Sequence, residues 1–251
     1  MDRFKVEVIT KTPNPQQVIY AAMHQDYCED FVFEQIGKIP PENECGDIVV
    51  KRLLLGDRGH WGPCEHPQIT FNCGYFPHSV MQQARTHRVG VTLDCQSMRY
   101  TGKRISVMVQ SLINKKLSEE IVRGQIENVF YLRPVGDYRD RQGKKYHYSA
   151  EKRYKDLCWC YDAAVQYAQD LEDGLSEEHA RGKLPFDYRQ HFVVSFNLRS
   201  FLHFLDLRCK KDAQIEIQQL CELMLPHLKD WVPEIAEWYI KNRLGKARLA
   251  P

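Results

Sequence analysis

The run Asn197-Leu198-Arg199-Ser200-Phe201-Leu202-His203-Phe204-Leu205-Asp206-Leu207-Arg208 constrains this chain more than any other stretch. At about 100° per residue on a helix, Leu198, Phe201, Leu202 and Leu205 form one apolar stripe. Two polar stripes flank it: Arg199, His203 and Asp206 on one side, Asn197, Ser200 and Arg208 on the other. A surface helix needs only one polar face. Burying two polar flanks is costly unless both meet partners, so the pattern places this helix between two ligand sites or at a subunit junction. An ordinary core helix explains the stripe and leaves Asn197 and His203 without a reason.

A second stretch, from Arg85 to Tyr100, holds Arg85, His87, Arg88 and Arg99 against the single acid Asp94, with Lys103 and Arg104 just beyond. Guanidinium groups present a planar fork of donors matched to phosphate, so this concentration suits an anion cradle. Residues 77 to 84 read as the start of a helix, with Pro77 tolerated in its first turn. If that helix continues, Gln82, Arg85 and Arg88 share one face and Val80, Ala84 and His87 the next. On composition alone, a solvated helix face explains the arginines better, and Ser97 is a loop hydroxyl.

Around these motifs, Phe4 to Ile9 alternates as a strand, and Asn14-Pro15 reads as the cap and first residue of a helix carrying Val18, Ala21 and Ala22. Residues 48 to 55 fit a strand or a short helix equally. Gly59 to His66 is loop by its Gly and Pro content, Ile69 to Asn72 a strand, and Val129 to Pro134 a strand closing at proline. Asp137 to Tyr148 reads as a charged, flexible loop. Lys152 to Leu171 has helical periodicity, and Glu177 to Lys183 a short helix capped by Ser176.

The 251 residues, 43% of them apolar, suffice for one substantial domain. With 35 basic against 33 acidic residues, the net charge of +2 argues against a protein living on nucleic-acid backbones. The Tyr, Arg and Lys interleaving from Tyr138 through Arg141 and Lys144 to Tyr148 is the one stretch suggesting such a surface, and a solvated loop explains it better. Nine cysteines without a framework spacing, no signal peptide and no bilayer-length apolar run point to a cytoplasmic chain with reduced thiols and no membrane partner. Cys158-Trp159-Cys160 lacks a completing ligand pair, so no metal is expected. Neither a G-x-G-x-x-G nor a G-x-x-x-x-G-K-[ST] loop occurs.

Together the two motifs resemble the flavin-dependent thymidylate synthases. That family's signature is an Arg-His-Arg triplet followed by Ser-x-Arg-Tyr; here Arg85 with His87-Arg88 stands for the triplet and Ser97-Met98-Arg99-Tyr100 for the ending. Thr86 splits the triplet, and Thr92-Leu93-Asp94 replaces the usual central Ser-x-Asn, lengthening the spacing by one residue. The Asn197–Arg208 helix and the following Ala213 to Gln219 resemble the family's late helix and its successor, and the resemblance runs from about Val6 to Tyr239.

The resemblance implies a single α+β domain over residues 1–251, with a mostly antiparallel sheet and long helices, assembled as a homotetramer with shared active sites. It implies methylation of dUMP to dTMP, with 5,10-methylenetetrahydrofolate as carbon donor and NADPH-reduced FAD as hydride source. Arg85, His87, Arg88, Asn197, Arg199 and His203 would line the FAD site, either Arg85 or Arg88 touching the flavin. His60 would lie where flavin and folate meet; from its residues alone, a loop histidine beside Trp61 is as readily solvated or packed as functional. Ser97, Arg99 and Arg181, ahead of Leu184-Pro185, would hold the dUMP phosphate, Gln82 would orient base or sugar, and Arg208 would stabilise charge at the uracil. Cys64 follows Pro63, as the thiolate of the unrelated flavin-independent enzymes follows proline, but a buried inert thiol is the better reading. A catalytically inert flavin- or nucleotide-binding protein on the same scaffold is the competing expectation, and a nucleic-acid-binding protein the more distant one.

Overall fold

Val6 is buried between exposed Lys5 and Glu7, and this alternation runs as strand β1 (Lys5–Lys11). The computed structural model describes residues 3–56, 60–113, 117–140 and 142–246. After β1 come α1 (Pro15–Gln25), a 3-10 turn (Val32–Lys38), α2 (Glu42–Val49) running into one π-helical turn (Val50–Leu54), and a 3-10 turn (Gly62–Glu65). Strand β2 (Gln68–Pro77) passes directly into α3 (His78–Ala84), followed by β3 (Val91–Cys95), α4 (Met98–Thr101), α5 (Lys103–Ile113) and α6 (Glu119–Val129). A hairpin of β4 (Gly136–Arg139) and β5 (Lys145–Tyr148) precedes the long α7 (Ala150–Glu172) and short α8 (Glu177–Ala180). The chain closes with β6 (Arg189–Asn197), α9 (Leu198–Arg208), α10 (Ile215–Trp231) and α11 (Pro233–Asn242). The four-stranded sheet has the order β1-β2-β6-β3, with β1 antiparallel to β2 and an irregularity in register between Val8 and Thr10.

Two compact units divide the chain: Met1–Gly74, Gln83–Asp94 and Val193–Pro251 form the first, Tyr75–Gln82 and Cys95–Phe192 the second. In the first, fully buried rings stack the sheet onto α9, with Phe201 5.3 Å from both Phe71 and Phe196 and Phe204 5.2 Å from Phe196. The apolar stripe of α9, Leu198, Phe201, Leu202 and Leu205, is wholly inaccessible to solvent. In the second, α5, α6 and α7 enclose a core of Ile105, Met108, Val109, Ile126, Leu157, Ala164 and Tyr167.

Several sequence expectations need correction. Asn14 precedes α1 in a left-handed conformation (φ 46°) and its side chain caps nothing. The carboxylate of Glu42, on α2, instead accepts from the first-turn amides of Gln16 (2.7 Å) and Gln17 (2.9 Å). Pro77 ends β2 and does not open the helix. Residues 48 to 54, left open between strand and short helix, are helical. The strand expected at Val129 to Pro134 is the end of α6 plus a single bridge between Phe130 and Tyr188.

The loop expected from Asp137 to Tyr148 is an antiparallel hairpin. Its turn is held by the Asp140 carboxylate, which accepts from the amides of Gln142 and Lys144 at 2.9 Å each, and by Gly143 at φ 84°. Arg141 and Gly59 lie outside the described residues. Ser176 precedes α8 without capping its backbone; its hydroxyl meets the His179 ring at 3.1 Å.

Candidate active site

In the first unit the site is organised by the start of α9. Asn197 is the N-cap, its Oδ1 accepting from the Ser200 amide at 2.8 Å. Its own amide donates to Gly90 O (3.0 Å), and the Ser200 hydroxyl donates to Val89 O (2.7 Å). The segment after α3 is thereby seated on the first turn of α9. Gly90 adopts φ 62°, and a Cβ there would lie 2.3 Å from both Asn197 Nδ2 and Ser200 Oγ.

Helix α3 stops at Ala84, so Arg85 and Arg88 do not share a helix face with Gln82, as the spacing led one to expect. The amides of Thr86 and His87 turn back onto Gln83 O (3.3 Å) and Ala84 O (3.1 Å), and the Thr86 hydroxyl donates to Gln83 O at 2.7 Å. This tight exit leaves Arg85 and Arg88 exposed and turns His87 inward to 9% exposure. The His87 ring packs on Phe204 at 5.0 Å and on His203 at 5.5 Å.

Arg208, at the last turn of α9, reaches this same turn. Its Nε donates to His87 Nε2 (2.9 Å), and its Nη2 donates to Thr86 Oγ1 (2.9 Å) and Gln83 O (3.1 Å). Burial, then the Arg208 charge and His203, push the His87 imidazole down to about 4, so at neutral pH it accepts from Arg208 as the uncharged ring. Burial also lowers His203 and Arg208.

The other polar flank of α9 meets protein. Asp206, 2% exposed, accepts from Tyr239 Oη (2.9 Å) and Arg243 Nη2 (2.8 Å), and Arg199 pairs with Glu65 at 2.7 Å. Exposed His60 adjoins Trp61, which is anchored against Trp238 (5.9 Å) and under Arg243 (5.4 Å). Cys64 is fully buried, and burial pushes its thiol up to about 12, which leaves no thiolate for attack.

The second unit carries Gln82, Ser97, Arg99 and Arg181. Ser97 caps α4, accepting from the Arg99 amide at 3.4 Å, and Arg99 Nε pairs with Glu178 at 2.9 Å. Arg181 is exposed on the 3-10 turn after α8. Gln82 Nε2 lies 2.8 Å from His78 Nε2, His78 Nδ1 lies 2.7 Å from Gln190 Oε1, and Gln190 Nε2 donates to Gln96 O at 2.8 Å. The backbones of Gln96 and His191 also bond at 3.0 Å, beside Ser97.

Sequence reasoning missed His78, Gln96 and Gln190, and missed Thr86 as a hydrogen-bonding partner. The four-residue spacing of His78 and Gln82 on one helix was a usable signal; Gln190, more than a hundred residues away, gave none.

Comparison with known proteins fixes the class. The chain superposes on thymidylate synthase X (ThyX) of Helicobacter pylori, solved with FAD and dUMP, with a TM-score of 0.70 at 15% identity over 97% of this chain and all of that one. It superposes equally, at 19% identity over all of this chain and 99% of that one, on the UMP/dUMP methylase PolB of Streptomyces cacaoi bound to 5-bromo-dUMP. The fold is thus the ThyX fold of helices and antiparallel sheet. The profile of the thymidylate synthase complementing proteins matches residues 7–234, and the chain belongs to that family. Flavin-dependent thymidylate synthases of Haloarcula marismortui (31% identical, 98% of this chain and 99% of that protein) and Halobacterium salinarum (30%, 98% and 100%) are similar over their full lengths. No helix among the described residues is long and apolar enough to cross a membrane.

Proposed function

We propose that this protein is a flavin-dependent thymidylate synthase, acting as one domain over residues 1–251 and assembled as a cytoplasmic homotetramer with shared active sites. It methylates dUMP to dTMP with 5,10-methylenetetrahydrofolate as carbon donor and NADPH as reductant, releasing tetrahydrofolate. The observation that carries this reading is the convergence of Arg208, His87 and the Arg85–Gly90 segment on one helix, within a chain whose full-length relatives bear that name.

The donor set fits a flavin nucleotide: exposed guanidiniums at Arg85 and Arg88 suit a pyrophosphate, and Asn197, Arg199 and His203 add neutral and charged donors beside them. His60 would lie where flavin and folate meet. When bound, FAD supplies the hydride. Arg99 and Arg181, with the amides around Ser97, hold the dUMP phosphate, and Gln82 orients the base. Arg208 would meet the N3–O2 edge of a bound uracil and stabilise the negative charge that develops there, in place of activation by a thiolate.

The test is spectroscopic and chemical. Purified protein shows a flavin band, NADPH bleaches it without oxygen, and dUMP with methylenetetrahydrofolate then yields dTMP. A colourless protein that takes up no FAD refutes the reading, and a flavoprotein that makes no dTMP supports the inert scaffold instead.

A further inference from the structure

The residue that interrupts the Arg-His-Arg pattern lies against the side chain on which the proposed chemistry depends. Arg208 has five N–H groups. Nε donates to His87 Nε2 at 2.9 Å, and the two hydrogens of Nη2 are taken by Thr86 Oγ1 at 2.9 Å and Gln83 O at 3.1 Å. The Thr86 hydroxyl can accept because its own hydrogen is committed to Gln83 O at 2.7 Å. His87 can accept because its ring is neutral, buried against Phe204 and pinned at its backbone to Ala84. One whole edge of the guanidinium is therefore engaged by the turn after α3, and Nη1 is left to meet a ligand.

We propose that Thr86 and His87 are positioning residues that hold Arg208 by its Nε and Nη2 edge and present Nη1 to the uracil. His87 then acts on the uracil through Arg208. The threonine between Arg85 and His87 is one anchor: it puts a hydroxyl where the guanidinium needs an acceptor. This inference rests on the proposed function only for the task given to Arg208; the hydrogen bonds stand without it.

The test compares Thr86→Val, which keeps the shape and removes the hydroxyl, with Thr86→Ser, which keeps the hydroxyl. Thr86 is exposed, so both variants fold. Turnover of FAD-loaded Thr86→Val falls about tenfold, the scale of one hydrogen bond to a charged group, while FAD content and melting temperature hold. Thr86→Ser stays within about twofold of the parent. The Arg208 Nη2–H resonance, read by 1H–15N NMR on the substrate-free protein, shifts in Thr86→Val and not in Thr86→Ser. Parent-like turnover in Thr86→Val, a loss that follows FAD content, or a serine variant no better than valine overturns the proposal. Should the parent protein make no dTMP, the proposed function fails and the resonance alone decides: a shift confined to Thr86→Val upholds the positioning, and an unmoved signal overturns it.

Discussion

His78 Nδ1 donates to Gln190 Oε1 at 2.7 Å, and that bond determines what the other end of the ring can do. With the proton on Nδ1, Nε2 is an acceptor, and Gln82 meets it with its amide nitrogen at 2.8 Å. Gln82 is thereby held with its carbonyl turned away from the ring and available to a donor on the bound nucleotide. His78→Phe keeps the packing on Tyr188 and Phe186, at 4.7 and 5.1 Å, but loses both hydrogen bonds. Calorimetric titration of the FAD-loaded variant should show dUMP binding weakened about tenfold, ~1.4 kcal/mol, with flavin content unchanged. An unaltered dissociation constant would remove Gln82 from base recognition.

His87 makes the fold acid-sensitive. Burial, then the Arg208 charge, holds its ring down to about 4 in the folded protein against 6.5 for a solvated imidazole, so the folded state prefers the neutral form. Stability is complete above pH 6.5 and is lost as pH falls toward 4, because the unfolded chain takes up the proton first. The loss from this one ring is on the order of 1–3 kcal/mol. His203 and His191 are lowered as well and add the same sign. Urea midpoints at pH 7, 5.5 and 4.5 should fall more steeply in the parent than in His87→Phe; equal slopes would place the acid sensitivity elsewhere.

How far the sequence reached follows from which contacts are local. The α9 pattern was readable because its apolar stripe repeats within one helix; the cap, Asn197 accepting from the Ser200 amide, was not read there. The extension of α3 through Arg88 failed because nothing nearby in sequence announces that Thr86 will fold back onto Gln83 and accept from Arg208, 122 positions away. The Asn14 cap failed for a like reason: Glu42, 26 positions beyond Gln16, satisfies the helix amides that Asn14 was expected to cap. The β4–β5 hairpin was misread because its strands, Gly-Asp-Tyr-Arg and Lys-Tyr-His-Tyr, are polar and short and are closed by an Asp140 turn rather than by apolar alternation. At the site, residue types and their elements were legible, while the side-chain links joining them were not.

Gly90 is the point at which backbone geometry and site meet. Alanine there combines a left-handed φ of 62° with a Cβ placed 2.3 Å from Asn197 Nδ2 and Ser200 Oγ. Gly90→Ala should cost about 1–3 kcal/mol, lowering the melting temperature by several degrees, on the order of 2–4 °C per kcal/mol. Flavin occupancy should fall further than stability alone explains, since the Arg85–Gly90 segment must leave the first turn of α9. Differential scanning calorimetry with and without added FAD separates the two effects; an unchanged FAD-dependent shift would show that the segment relaxes without disturbing the flavin residues.

Arg99, proposed above to hold the dUMP phosphate, is already engaged. Its Nε lies 2.9 Å from Glu178 Oε1, with side-chain exposures of 57% and 45%. A pair this exposed is worth at most ~1 kcal/mol, so a phosphate dianion can displace the carboxylate, but Glu178 still competes for the same guanidinium and repels the incoming charge. Glu178→Gln should therefore tighten dUMP binding by up to about fivefold. Deoxyuridine, which lacks the phosphate, should bind both proteins alike. The difference should shrink with added salt, because the groups are solvent-exposed. Weaker dUMP binding in Glu178→Gln would mean that Glu178 orients Arg99 for the phosphate instead of competing with it, and an equal gain for deoxyuridine would place the effect away from the phosphate.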